Sequence, residues 1–288
     1  KEYKLSIDGV PNENGEATRR FSVQVAGGAG EVLFLEDTWR WEFKFLRRVF
    51  EDDPGFTLTA FLSRGDTAYV QLAEPDRNTQ ATGIPQNRAE LAGFDTLVLG
   101  NVDPRRWPRS LPGAIRALVE EDGKSLIVIG GPGLRQILDN PDLAALLPVE
   151  LSQDSGNPVP GPVTLSVTGD GLASPYFAAI GGVPADFWTE LPPVDQIYPP
   201  LRKKPAATAL LEASELANAY GKLIVMAEHP AGRGRVLYLG TDTLWKWQTF
   251  STATDTPTHY QVFWQQALRA LAPIHGNEGN VTLWVEPD

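Results

Sequence analysis

Ser125-Leu126-Ile127-Val128-Ile129, followed at once by Gly130-Gly131-Pro132-Gly133 and Leu134-Arg135-Gln136-Ile137-Leu138, is the stretch on which the fold turns. A short apolar run without polar alternation reads as a strand buried on both faces, and a glycine-rich turn into a helix is how a parallel sheet starts a crossover. Upstream, Thr96-Leu97-Val98-Leu99 is a second such strand. After it, Ser110 caps a helix with Pro112 in its first turn and Ala114, Ile115, Leu118 and Val119 facing inward. Further upstream, Glu31 to Glu36 is a strand, and Glu42 to Glu51 is a helix with Phe45, Leu46, Val49 and Phe50 on one face, ending before Pro54. Phe56 to Leu62 is another strand. Strands alternating with amphipathic helices predict an α/β fold: a mainly parallel sheet covered by helices on both faces.

Downstream the pattern loosens. Pro148 to Pro162 is rich in Pro, Gly, Ser and Asn and reads as a linker or surface excursion. Strands are expected at Val163 to Val167, near Ala206 to Glu212, at Lys222 to Glu228 and at Arg235 to Leu239, the last two forming a hairpin at the sheet's far edge. Thr258 to Leu271 is a helix whose Tyr260, Phe263, Trp264, Ala267, Leu268 and Leu271 recur at helical spacing and belong to the core. Ser63 to Asn87 carries too little periodicity to assign. At the front, Glu2 to Val25 alternates weakly around Asp8 to Gly15, which suggests two antiparallel strands, and Val281 to Val285 is a strand at the other end. The division expected is a β extension over 1–29, belonging to a neighbouring β-sandwich module, an α/β domain over 30–272 and a β tail over 273–288.

The chain has 288 residues with 42% hydrophobic and 21% charged, enough to bury a core without staples. Its formal charge of −11 opposes polyphosphate backbones and anionic lipid, so nucleic acid and direct membrane insertion are not expected. It contains no cysteine, which excludes disulfides, thiolate metal sites and a cysteine nucleophile. No apolar run approaches the ~20 residues that cross a bilayer. The opening on Lys1 reads as an excised or processed piece of a longer protein, and cysteine avoidance fits a bacterial cell envelope.

Two near-copies mark the candidate site. Asp37-Thr38-Trp39-Arg40-Trp41 follows one predicted strand, and Asp242-Thr243-Leu244-Trp245-Lys246-Trp247 follows another. Both should sit just past a strand's carboxyl end, the edge where open α/β sheets bind ligands. Four tryptophans, two aspartates and two cations then converge on one rim, unless the indoles plug a core and Arg40 and Lys246 lie over them or pair with Asp242 and Asp37. Gly130 and Gly131 offer backbone N–H groups to an anion, though the spacing matches neither a Walker A loop nor a dinucleotide fingerprint, and close packing of the turn is the favoured reading. Asp37, Asp103 and Asp242 all follow predicted strands, where aspartate serves either acid–base chemistry or capping. His229, His259 and His275 are not spaced as metal ligands, there is no Gly-x-Ser-x-Gly elbow, and no cofactor is expected.

Glu36-Asp37-Thr38-Trp39-Arg40-Trp41-Glu42-Phe43-Lys44-Phe45-Leu46-Arg47-Arg48, Phe94 to Val102 with Asn101, Gly123 to Gly131, Gly232 to Asp242, and Phe263 to Arg269 together resemble the glutamine amidotransferase-like domain of bacterial membrane-anchored proteins that also carry a von Willebrand factor A domain. The resemblance spans nearly the whole α/β body. It implies a class I glutamine amidotransferase-like fold, related to flavodoxin-like sheets, in a membrane-anchored parent on the periplasmic or extracytoplasmic side. Active members use a cysteine thiolate on a tight turn after a central strand, activated by histidine. Here glycine stands in the nucleophile's place in Ile129-Gly130-Gly131-Pro132-Gly133, and Ala231 replaces the glutamate of a His-Pro-Glu at His229-Pro230.

The expectation is therefore a non-catalytic binding or assembly domain, not a glutaminase. Its old active-site rim would hold a protein partner, another domain of the same polypeptide, or a small ligand through Asp37, Trp39, Arg40, Trp41, Asn101, Gly130, Gly131, His229, Asp242, Trp245 and Trp247. The alternative is a hydrolase using Asp37, Asp103 or Asp242 with His229, with or without a divalent cation, and with Ser63 to Asn87 as a lid.

Overall fold

Gly30–Glu36 (β1) is buried on both faces: Val32 and Phe34 belong to one hydrophobic cluster, Leu33 and Leu35 to the other. That is the period-two projection of a central strand. In the computed structural model, residues 30–65, 68–73, 83–177, 186–249 and 257–272 are described, all within a unit running from Ala29 to Pro273. The β segments expected in 1–29 and 273–288 lie outside the described residues.

The chain order after β1 is α1 (Trp41–Asp52), β2 (Phe56–Arg64), β3 (Ala68–Ala73), α2 (Arg88–Leu91), β4 (Thr96–Leu99), a 3-10 turn (Pro104–Arg106), α3 (Leu111–Glu120), β5 (Ser125–Ile129), α4 (Leu134–Leu138) and α5 (Pro141–Leu146). Then come β6 (Val149–Glu150), β7 (Val159–Val163), β8 (Leu165–Val167), α6 (Gly169–Ala173), β9 (Val194–Ile197), β10 (Arg202–Lys203), β11 (Thr208–Asn218), β12 (Gly221–Ala231), β13 (Gly234–Leu239), α7 (Lys246–Thr249) and α8 (His259–Leu271).

Nine strands form one sheet in the order β3-β2-β1-β4-β5-β13-β12-β11-β8. The central run β2-β1-β4-β5-β13 is parallel throughout. β3 closes one side antiparallel to β2, and β12, β11 and β8 extend the other side antiparallel. The fold is mixed α/β around a largely parallel core, as the strand–helix alternation predicts.

α1 and α8 cover one face through Phe43, Leu46, Val49 and Phe50 against Tyr260, Phe263, Trp264 and Leu268. α2 to α5 cover the other, with Leu91, Ile115, Leu118, Ile137 and Leu146 over Leu97, Leu99, Leu126 and Val128. Thr258 caps α8 with a reciprocal box, its hydroxyl accepting from Gln261 N while the Gln261 side chain accepts from Thr258 N.

The structure departs from expectation where period-two patterning is weak. Ser63 to Asn87 contains β3, a sheet edge rather than an unassigned stretch. The expected strand Val163 to Val167 is two: Val163 ends β7, which pairs with β9, and Leu165–Val167 is the outer strand of the main sheet. The hairpin of β12 and β13 forms, but it is not the far edge, because β11 and β8 lie beyond it.

Candidate functional site

The parallel strands end together, so residues distant in sequence meet at their carboxyl edge. β1 delivers Glu36, β4 delivers Asn101, β5 delivers Gly130 and Gly131, and β13 delivers Asp242. Glu36 is completely buried. Its Oε1 accepts from the backbone N–H of Asn101 at 3.0 Å, and a Cβ on Gly100 would collide with its other oxygen, so glycine is required there. Burial pushes the Glu36 carboxyl from 4.5 up to about 7, although the Arg40 guanidinium and two backbone amides pull it down.

Arg40 sits at the N-cap of α1 without capping it and turns its side chain inward. Nη2 donates to Glu36 Oε2 at 2.8 Å, Nη1 donates to Gly130 O at 2.8 Å and to Asp242 Oδ2 at 3.2 Å. One guanidinium thus ties the ends of three strands. Asp242 also accepts from Gln196 Nε2 at 2.8 Å, and Gln196 donates to the Tyr198 hydroxyl, which burial and the Asp242 charge push up to about 12. Asn101 completes the ring, its Oδ1 accepting from Gly133 N at 2.7 Å and its Nδ2 donating to Thr38. The space a side chain at Gly131 would take is already occupied: its Cβ would lie 3.0 Å from Asn101 Oδ1 and 3.2 Å from Arg40 Nη1. The glycine bend is stoppered by its own neighbours.

A second polar group lies beside it. Asp37 accepts from the Tyr69 hydroxyl at 2.6 Å and from Asp103 N at 2.7 Å, and Arg106 approaches to 3.5 Å. The Asp103 carboxylate is held by Arg105, whose hydrogen bonds keep it below the usual carboxylate range. Asp37, Asp103 and Asp242 are each engaged by an arginine rather than gathered on one another. Among the described residues, no three His, Cys, Asp or Glu side chains come together as a metal-holding set.

His229 does not join the rim. β12 runs on through Ala231, so His229 lies inside a strand opposite Val236, roughly 10 Å below the carboxyl edge of β13. Its Nε2 is 2.6 Å from Leu146 O on α5, and burial, with Lys204 nearby, lowers its pKa.

The four tryptophans divide. Trp247 is fully buried and donates from Nε1 to Pro192 O at 2.8 Å, so it belongs to the core and not to a rim. Trp39 is 61% exposed and donates to Ser63 O. Trp41 is 56% exposed, and its ring lies 5.9 Å from that of half-buried Trp245, which stacks on Phe45 at 5.5 Å. Lys44 lies over Trp41, Arg48 over Phe45 and Lys246 over Trp245. Of the lock expected between the near-copies, Arg40 does pair with Asp242, but Lys246 pairs with Asp195 at 3.1 Å instead of Asp37.

Sequence reasoning passed over Glu36, Glu42 and Gln196. Glu42 is fully buried, accepting from the Tyr260 hydroxyl at 2.8 Å and from Trp245 N at 3.1 Å, and burial pushes it up to about 7. The signal was available in the helical pattern: Glu42 shares the inward face of α1 with Leu46, Val49 and Phe50.

No known family model matches the chain, and no curated protein matches it. Its fold is similar to that of the cytoplasmic protein STM1381 from Salmonella typhimurium LT2, with TM-score 0.58 and 17% identity, covering 84% of this chain and 100% of that one. It is also similar to the cytoplasmic protein STM3548 from Salmonella typhimurium, with TM-score 0.53 and 15% identity, over 84% and 98% of the two chains. At these identities the likeness shows the fold alone. Both neighbours are described as cytoplasmic, counter to the periplasmic, membrane-anchored placement expected from the sequence. Among the described residues no helix is long and apolar enough to cross a membrane.

Proposed function

We propose that this chain is a non-catalytic binding or assembly domain built on a class I glutamine amidotransferase-like sheet, its partner being another protein or another domain of the same polypeptide. The order of the five parallel strands, β2-β1-β4-β5-β13, matches the 2-1-3-4-5 order of flavodoxin-like sheets and supports the scaffold half of this reading. One observation carries the functional half. At the bend after β5, where an amidotransferase needs a thiolate, there is glycine, and Arg40 and Asn101 fill the volume in front of it. The Arg40, Asn101 and Asp242 side chains lining that spot are already hydrogen-bonded within the chain, so a bound amide would have to break the Arg40 lock to enter.

The hydrolase alternative gains nothing from the geometry. Its three aspartates are held by separate arginines, and its histidine lies within β12, away from the carboxyl edge where they sit. What remains open at this edge is the exposed aromatic surface beside the stopper, formed by Trp41, Phe45 and Trp245, with Trp39 nearby in sequence.

The test is ammonia release from glutamine by the purified chain, expected to equal the buffer blank. Turnover that scales with protein concentration and disappears in a Gly131→Ala or Asp242→Asn variant would overturn the reading.

A further inference from the structure

The outer face of α1 is unlike the rest of this protein. The chain carries 36 acidic against 25 basic residues, yet the exposed side chains around Trp41 and Phe45 are Lys44, Arg47 and Arg48, with Lys246 beside Trp245. Arg47 is paired with Glu51 at 2.8 Å and Lys246 with Asp195. Lys44 and Arg48 have no carboxylate partner among the described residues and instead lie over aromatic rings, 4.5 Å from the centroid of Trp41 and 5.7 Å from that of Phe45. A cation over an aromatic face at an exposed site is held more weakly than by a charge-assisted hydrogen bond in a closing interface, so both are available to a carboxylate.

The aromatic half of the surface is equally unusual. Trp41 is more than half exposed and contiguous with Phe45 and Trp245, whereas exposed large aromatics in soluble proteins are ordinarily scattered singly. Aromatic anchors ringed by charge are the composition of a binding hot spot.

We infer that the Trp41–Phe45–Trp245 platform, flanked by Lys44 and Arg48, docks an acidic peptide segment of a partner protein, one in which Asp or Glu side chains stand next to an apolar or aromatic residue. This rests on the binding-domain reading above and names the partner's chemistry. Charge complementarity selects the occupant. Polyphosphate and anionic lipid would bring many charges against the −11 field of the whole molecule, while a short acidic segment brings few and places them only at the cationic patch. A second copy of this chain would carry the same −11 towards itself.

The experiment selects short random peptides displayed on phage against the full immobilised chain, with counter-selection on a Trp41→Ala, Lys44→Glu, Arg48→Glu variant. All three side chains are on the exposed face, and an unchanged melting temperature confirms that the variant folds. Enriched peptides should combine Asp or Glu with Phe, Trp, Leu or Pro. The best synthetic peptide should bind saturably, more weakly as salt rises, with affinity reduced about tenfold or more by Trp41→Ala alone and by Lys44→Glu with Arg48→Glu. Enrichment of basic or uncharged peptides, or acidic peptides that bind the triple variant equally well, overturns the inference. Concentration-dependent dimerisation, or binding of an acidic oligosaccharide abolished by the same substitutions, would also overturn it while leaving the binding-domain reading standing. Glutamine turnover would remove that reading by itself.

Discussion

Arg40 and Trp41 are adjacent in sequence and belong to opposite kinds of structure. The Arg40 side chain is 11% exposed and bonded to three other residues from three strand ends, while Trp41 is 56% exposed, its ring beside half-buried Phe45 and Trp245 with Lys44 over it. The buried neighbourhood turns its side-chain hydrogen bonds on itself. The exposed one presents apolar area that folding does not require. Where one loop alternates between these states, residue type alone does not separate lock from site; the partners do.

Breaking the lock should have the largest effect. Arg40→Ala leaves Glu36 buried without its cation and is expected to lower unfolding stability by about 3–5 kcal/mol in urea titrations. Trp247→Ala should cost a similar 3–5 kcal/mol by opening a core cavity, against less than about 0.5 kcal/mol for Trp41→Ala. Equal losses from Trp247→Ala and Trp41→Ala would erase the contrast between core and surface.

Glu42 sharpens the comparison through pH. Its carboxyl is at about 7 when folded against an ordinary 4.5, so the folded state holds the proton more tightly and stability is greatest below about 4.5, falling as pH rises towards 7. The loss attributable to Glu42 reaches about 3 kcal/mol above pH 7. Glu42→Gln can still accept from Trp245 N and bond the Tyr260 hydroxyl, so the variant should match wild type near pH 4 and exceed it at pH 8, read as melting temperature against pH. A smaller effect is expected from Asn101→Ala, which removes the acceptor of Gly133 N and the donor to Thr38, at about 1–2 kcal/mol.

The central scaffold could be read from the sequence because doubly buried strands are short continuous apolar runs and their helices keep a clean period. Ser125–Ile129, Thr96–Leu99 and Thr258-capped α8 follow those patterns directly. That Asp37, Asn101, Gly130 and Asp242 lie just past strand ends could be read from the strands alone; which of them bond to one another could not. Three things did not follow. Ala68–Ala73 pairs by its backbone at an edge, where side-chain pattern is weak. His229 reads as post-strand because Pro230 suggests a break, yet β12 continues through Ala231. The near-copies suggested equivalent tryptophans, but the second carries Leu244 as an insertion, and Trp247 goes into the core while Trp245 stays at the surface.

The clamp on Arg40 also governs how its flanking indoles behave before any partner arrives. Thr38 N donates to Glu36, Asp37 N donates to Asn101 O, and Arg40 is fixed at three points, so the backbone from Asp37 to Trp41 has little freedom left to lose. Docking on this surface would immobilise mostly side-chain rotors, leaving a smaller entropic penalty than a floppy loop would exact. The same anchoring implies that the Asp37 amide exchanges its hydrogen for deuterium only when the central sheet itself opens, at the slow rate of β1 rather than the fast rate of a surface turn.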